Sequence, residues 1–106
     1  MGPGITKTVT LSDVWQRLGS LYDTNNPKTL QEGKSIANRV WISVSSNGAE
    51  VAFADSQPVA GVTQGHALAS GDSTNWNNQG FISRAWFRND TAGSNAVLTI
   101  TPIFDN

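Results

Sequence analysis

The sequence predicts an all-β fold: a small antiparallel β-sandwich or barrel with long loops and at most one short helix. Three observations predict it. Several short runs alternate apolar and polar residues with a period of two, as half-buried strands do. Those runs are rich in Val, Ile, Thr, Trp and Phe, which suit a pleated surface. Gly, Asn, Asp and Ser cluster between the runs, where chain reversals need them. The 106 residues suit one β-domain over 1–106, opened by a flexible N-terminal arm over about residues 1–10.

Four segments read as strands. Ile5–Leu11 sets Ile5, Lys7, Val9 and Leu11 against Thr6, Thr8 and Thr10. Ala37–Ser46 sets Val40, Ile42 and Val44 against Arg39, Trp41, Ser43 and Ser45. Asn47-Gly48 then precedes AEVAFA, which predicts a tight hairpin, because both turn positions tolerate φ > 0. The third and fourth strands are Gly80–Asn89 and Ala96–Phe104, and the turn-rich DTAGSN between them predicts a second antiparallel hairpin. In the third, Phe81, Ser83, Ala85 and Phe87 form a core side, with Ile82, Arg84, Trp86 and Arg88 opposite. Pro102 has no N–H to donate, so the last strand should end there or lie at an edge. Leu11–Gly19 reads as a short helical turn or a bend. Asp23–Ser35 and much of Asp55–Gln79 read as long polar loops, with VTQGHAL able to add a short strand.

Composition narrows the function. Charged residues make up only 14% and the formal net charge is −1. A nucleic-acid surface needs a clustered basic excess, and the seven Lys and Arg are scattered, so no nucleic-acid partner is expected. No apolar run approaches a membrane span, and none follows a basic start as in a secretory signal, so no membrane partner is expected either. Serine, threonine, asparagine and glycine fill the place of charges. Such a surface is cheap to bury against another protein, because few charges must leave water.

Catalytic and metal chemistry find little to stand on. There is no cysteine and one histidine, so His66 lacks partners at metal-ligand spacing, and no metal or other cofactor is expected. It reads as a loop or surface histidine. Ser70, His66 and Asp72 assemble a triad only on paper, with no nucleophile-elbow pattern around them. The eight acids are dispersed, mostly in loops, and no catalytic residues are assigned.

What remains is a repeated pairing of arginine with tryptophan. Residues i and i+2 share a strand face. Arg39 and Trp41 are therefore neighbours, and Arg84, Trp86 and Arg88 repeat the pattern. An arginine over an indole gains roughly 0.5–2 kcal/mol, and both types are enriched at binding hot spots. Three readings stand open: each arginine stem covers its tryptophan on the monomer surface, a second sheet buries both faces of that strand, or the faces meet another protein. Trp76, among asparagines in STNWNNQGF, anchors its loop, grips a neighbour or stacks on a sugar.

The order TVTLSDVWQRLG, NRVWISV, GHALASGD, an aromatic–arginine strand and AVLTITPIF resembles small virion structural proteins of tailed bacteriophages, above all the capsid-decorating or cement proteins. The resemblance spans most of the chain and is one of layout. It implies a compact β-domain that docks on the capsid surface of the virion after assembly in the host cytoplasm. Its implied partners are the major capsid protein and other copies of itself, as dimer or trimer, with no catalysis. The expected contacts are Ile5, Val9, Arg39, Trp41, Trp76, Arg84, Trp86 and Arg88. On this reading Trp86→Ala weakens attachment and leaves the isolated protein folded. The alternative is a carbohydrate- or receptor-binding module of a tail or fibre, with Trp76 stacking on a sugar ring.

Overall fold

The computed structural model describes residues 2–105. In chain order the elements are β1 (Lys7–Thr10), β2 (Gln16–Arg17), α1 (Leu18–Tyr22), β3 (Gln31–Glu32), β4 (Ser35–Ile36), β5 (Arg39–Ser45), β6 (Ala49–Phe53), β7 (His66–Leu68), β8 (Ser73–Trp76), α2 (Gln79–Arg84), β9 (Ala85–Asn89) and β10 (Val97–Ile103). Two four-stranded sheets form, ordered β1-β10-β5-β8 and β2-β9-β6-β7, and β3 pairs with β4 in a small hairpin. All the pairings are antiparallel.

The period-two patterns explain the layers. Val40, Ile42 and Val44 of β5, and Leu98 and Ile100 of β10, point inward from the first sheet. Val51 of β6 and Phe87 of β9 point inward from the second. These residues share one core with Leu11, Leu18 and Leu30, so the molecule is a β-sandwich. Each short connection joins strands at matching positions in the two sheets: β1 to β2, β5 to β6, β7 to β8 and β9 to β10. That order is the jelly-roll arrangement.

Both expected hairpins are therefore corrected. β5 and β6 do not pair, and neither do β9 and β10; each pair arches from one sheet to the other. The physical reason is that both edges of β5 are taken by β10 and β8, and both edges of β6 by β9 and β7. The arch uses Ser46 at φ +71, not Asn47-Gly48 at positive φ. Asn47 Nδ2 instead donates to the Asn95 carbonyl at 2.9 Å, and Asp90 N donates to the Gly48 carbonyl at 3.0 Å. The two arches thus hold each other. The tight hairpin of the described residues lies elsewhere, at β3–β4, where Gly33 takes φ +58 inside the segment expected to be a plain loop.

The predicted strand 80–89 also divides. Asn78 caps a helix, its Oδ1 accepting from Gly80 N at 2.6 Å, and the chain turns helical as far as Arg84. Faces change accordingly: Ile82 is buried and Phe81 exposed, the reverse of the expected arrangement. There are two short helices where at most one was expected. Leu11–Gly19 holds a bend, then β2, and only the beginning of α1. Two strands, β7 and β8, lie within the second long polar stretch.

β10 continues through Pro102 and runs centrally, between β1 and β5. The proline is tolerated because its carbonyl edge faces away from β5, beyond the end of β1: Gly4 N donates to Pro102 O at 2.7 Å. The missing N–H would lie on that same edge, outside both ladders. The segment expected to project as an arm, residues 1–10, instead follows β10 over its described part. Pro3 bridges to Ile103, and β1 pairs with Val97–Ile100. Tyr22 of α1 fastens this segment by donating to the Ile5 carbonyl at 2.6 Å. Burial, with Glu32 beside it, pushes the tyrosine hydroxyl up to about 12, so it remains a donor across ordinary pH. α1 lies under the 24–29 loop in direct backbone contact, since a Cβ on Gly19 would meet Pro27 O at 2.3 Å.

At the far end of the sandwich, buried Asn89 donates to Asp13 Oδ1 at 2.9 Å and accepts from Ala96 N at 3.0 Å. Asp13 also accepts from Gly93 N at 3.0 Å. The Asn89 amide first, then the Gly93 N–H, hold the Asp13 carboxyl below its ordinary 3.8. A lowered native value gives a stabilisation that is full above the ordinary carboxylate range and lost as pH falls through it. Asp13→Asn should therefore be less stable than the wild type at pH 6, and the gap in Tm should close as pH falls below about 4. Thermal melts at stepped pH check this.

Candidate interaction site

The two sheets differ on their outer faces. On the second sheet, Trp86 and Arg88 of β9 point outward beside Ala52 and Glu50 of β6. Trp86 is nonetheless only 8% exposed, and Trp15 3%, because both are covered by the chain itself. Trp86 Nε1 donates to the Ala54 carbonyl at 3.0 Å, and the Arg17 guanidinium lies 5.0 Å from its ring. Arg17 is pinned there by bonds to the Ser83 and Asp55 carbonyls. Arg88 lies over Trp15, at 4.5 Å, and pairs with buried Glu50 at 3.1 Å. Gln57 Nε2 donates to the Trp15 carbonyl at 2.9 Å and ties down the loop after β6.

So the arginine–tryptophan stacking exists, with partners other than those the spacing suggested. Arg84 does not flank Trp86 on a strand face; it ends α2 and pairs with Asp55 at 2.7 Å. That bond and the guanidinium charge hold the Asp55 carboxyl below its usual range. Trp86 and Arg88 are engaged within the chain, and Trp86 is not available to a partner in this conformation. Arg17 and Trp15, which complete the two stacks, were not singled out. Their spacing in VWQRLG carries no period-two signal, because β2 is only two residues long.

The outer face of the first sheet is open. Thr8, Thr10, Thr99, Thr101, Ser43, Ser73 and Asn75 spread across β1, β10, β5 and β8. Trp41 stands among them, opposite Thr101 and Asn75, and is 52% exposed. Beside it lies a shallow hollow of about 190 Å³ lined by Thr6, Trp41, Ser43, Thr99 and Thr101. Arg39 shares the face but turns to Asp105, with bonds of 2.7 and 2.9 Å. The charge on this face is thereby neutralised within the chain. Ile5 is 64% exposed near the same sheet, while Val9 turns inward against the core.

A third feature closes one end of the sandwich. Trp76, at the end of β8, leans on core Phe87 with ring centroids 6.0 Å apart. Phe53, ending β6, meets Trp76 at 5.4 Å and Phe81 of α2 at 5.5 Å, both edge to face. Trp76 is thus a half-buried anchor, and the two phenylalanines are the exposed members. Phe53 and Phe81 escaped notice for different reasons. Phe53 ends the run AEVAFA, whose faces were not assigned, and Phe81 was placed on a strand where the chain is helical.

His66 sits exposed on β7, while Asp72 turns its carboxylate back to Ala69 N at 2.8 Å, so the paper triad is not assembled. Among the described residues no group of three His, Cys, Asp or Glu is placed to hold a metal, and no helix is long and apolar enough to cross a membrane. Compared with known families, curated proteins and solved structures, the chain matches none.

Proposed function

We propose that the chain is a structural virion protein without enzymatic activity, which docks on the outer surface of a phage capsid and stabilises it as decoration or cement proteins do. The observation that carries the reading is Trp41, more than half exposed on a sheet face made mainly of hydroxyls and amides. A flat face of this kind desolvates at little cost, and a central aromatic supplies the burial energy. The second sheet covers its own tryptophans, which leaves the first sheet as the face for a partner. Jelly rolls occur in viral capsid and lectin domains, a likeness at the level of fold alone. The partners are coat subunits and neighbouring copies of the chain, and the repeated lattice multiplies weak single contacts.

The test uses purified shells of the virus that encodes the chain. Trp41→Ala should leave Tm within a few degrees of the wild type and reduce co-sedimentation with shells by about tenfold or more, as loss of a hot-spot aromatic does. Undiminished co-sedimentation of Trp41→Ala would overturn the assignment of this face. Failure of the wild type to bind any shell would overturn the function.

A further inference from the structure

We infer that the aromatic end of the sandwich is a second, separate site, which binds a neutral pyranose ring of a glycan. A cavity of about 360 Å³ opens there, lined by Phe53, Asn78, Gly80, Phe81 and Arg84. That is the small end of the range for ligand pockets, a size that suits a single ring. Two walls are phenyl rings, 39% and 48% exposed, set at 62° to each other. They are fixed from beneath by Trp76 and, through it, by Phe87. The apolar walls are therefore assembled by contacts within the chain before any ligand arrives, which limits the ordering cost of binding.

The polar side decides the class of ligand. Arg84 spends Nε on Asp55 Oδ1 at 2.7 Å, and its Nη1 lies beside Gly80, 3.5 Å from where a Cβ there would sit. Asn78 Oδ1 is taken by Gly80 N at 2.6 Å, which leaves the amide NH2 to donate. Asp55 does not line the cavity, but its carboxylate offsets the charge of Arg84 through its bond to Nε. Donors from Asn78 and Arg84 thus stand beside an apolar cleft, and the guanidinium charge is already paired. A purely apolar side chain would strip water from the guanidinium and carboxylate and give nothing back. An anion would find the one cation of the lining already paired with Asp55. A neutral polyol with one C–H face and a rim of hydroxyls satisfies both halves. Gly80 keeps the floor open, because a Cβ there would meet Asn78 Oδ1 at 2.8 Å.

The site lies on the end of the sandwich and not on the Trp41 face, so its fate is independent of shell docking. The experiment is calorimetric titration of the full chain with methyl glycosides and short oligosaccharides of glucose, galactose and mannose, and with glucuronides. At least one neutral series should bind saturably with Kd on the order of 1 mM or tighter. Phe81→Ala and Arg84→Gln should each weaken it about tenfold or more, while Trp41→Ala leaves it unchanged and Phe81→Ala still co-sediments with shells. Both variants alter exposed side chains, and matching circular dichroism confirms that they fold. Absence of binding across all neutral glycans overturns the inference. So does binding confined to glucuronides, or binding that survives both variants.

Discussion

Phe87→Ala is expected to cost about 3–5 kcal/mol of stability, the usual range for removing a fully buried phenylalanine. Phe87 is 0% exposed and sits on β9, flanked by β2 and β6 and facing the first sheet. Its ring also supports Trp76. Deleting it opens a void that neither sheet can close, because the ladders on both sides hold the backbone in place. For a domain of this size the loss corresponds to a Tm drop on the order of 15 °C or more. Urea denaturation should show a lower midpoint with an unchanged slope, the mark of lost stability without a change in the unfolded chain. A second consequence separates this site from an ordinary core position. With its base removed, the Phe53–Trp76–Phe81 cluster loses its fixed geometry, so glycan binding should weaken even though Phe87 touches no ligand.

Trp86→Ala should also destabilise the isolated protein, by about 3 kcal/mol, the low end for tryptophan because a thin loop covers one side. The indole fills the space between Ala52, Trp15 and the loop after β6, and its removal leaves the Ala54 carbonyl without its donor. Arg17 would lose the ring it covers. The loop from Ala54 to Gly65 should then become the first protease-sensitive segment, which limited proteolysis with mass spectrometry will locate. This outcome reverses the expectation from sequence that Trp86 serves attachment and is dispensable for folding. If the melting temperature of Trp86→Ala stays at the wild-type value, the covered position of the residue is refuted.

These two residues also show how far the sequence could be read. Phe87 belongs to a run whose alternation is true from Ala85 to Asn89, and its inward direction follows from period two alone. The same alternation, extended back through Phe81, crosses into a helix, because the cap Asn78 looks like one more loop asparagine among Asn75, Asn77 and Asn78. Trp41 and Arg39 were legible as outward neighbours, since β5 is seven residues long and its faces are unambiguous. Trp86 was legible as outward, and cover within the monomer was one of the open readings, but the source of that cover was not legible. What covers it comes from β2 and from a loop, neither with a periodic signal. Asn47-Gly48 and DTAGSN marked true reversals, yet local turn chemistry does not say whether a strand folds back beside its predecessor or over it. That choice was made by other strands: β10 and β8 take the edges of β5, and β2 and β6 those of β9.

The placement of β10 bears on how the protein is made. Apart from β6 and β7, neighbours in the two large sheets are not consecutive in sequence, and β10 is inserted between β1 and β5. A nascent chain still lacking Val97–Ile103 cannot complete its first sheet. Until then the hydrophobic strands around Val40 and Ile42 have one free edge, open to the wrong neighbour. Chains with such distant pairings cross a large entropic barrier and fold in milliseconds to seconds. During synthesis at high levels, that interval is the period in which copies of this chain are most exposed to aggregation.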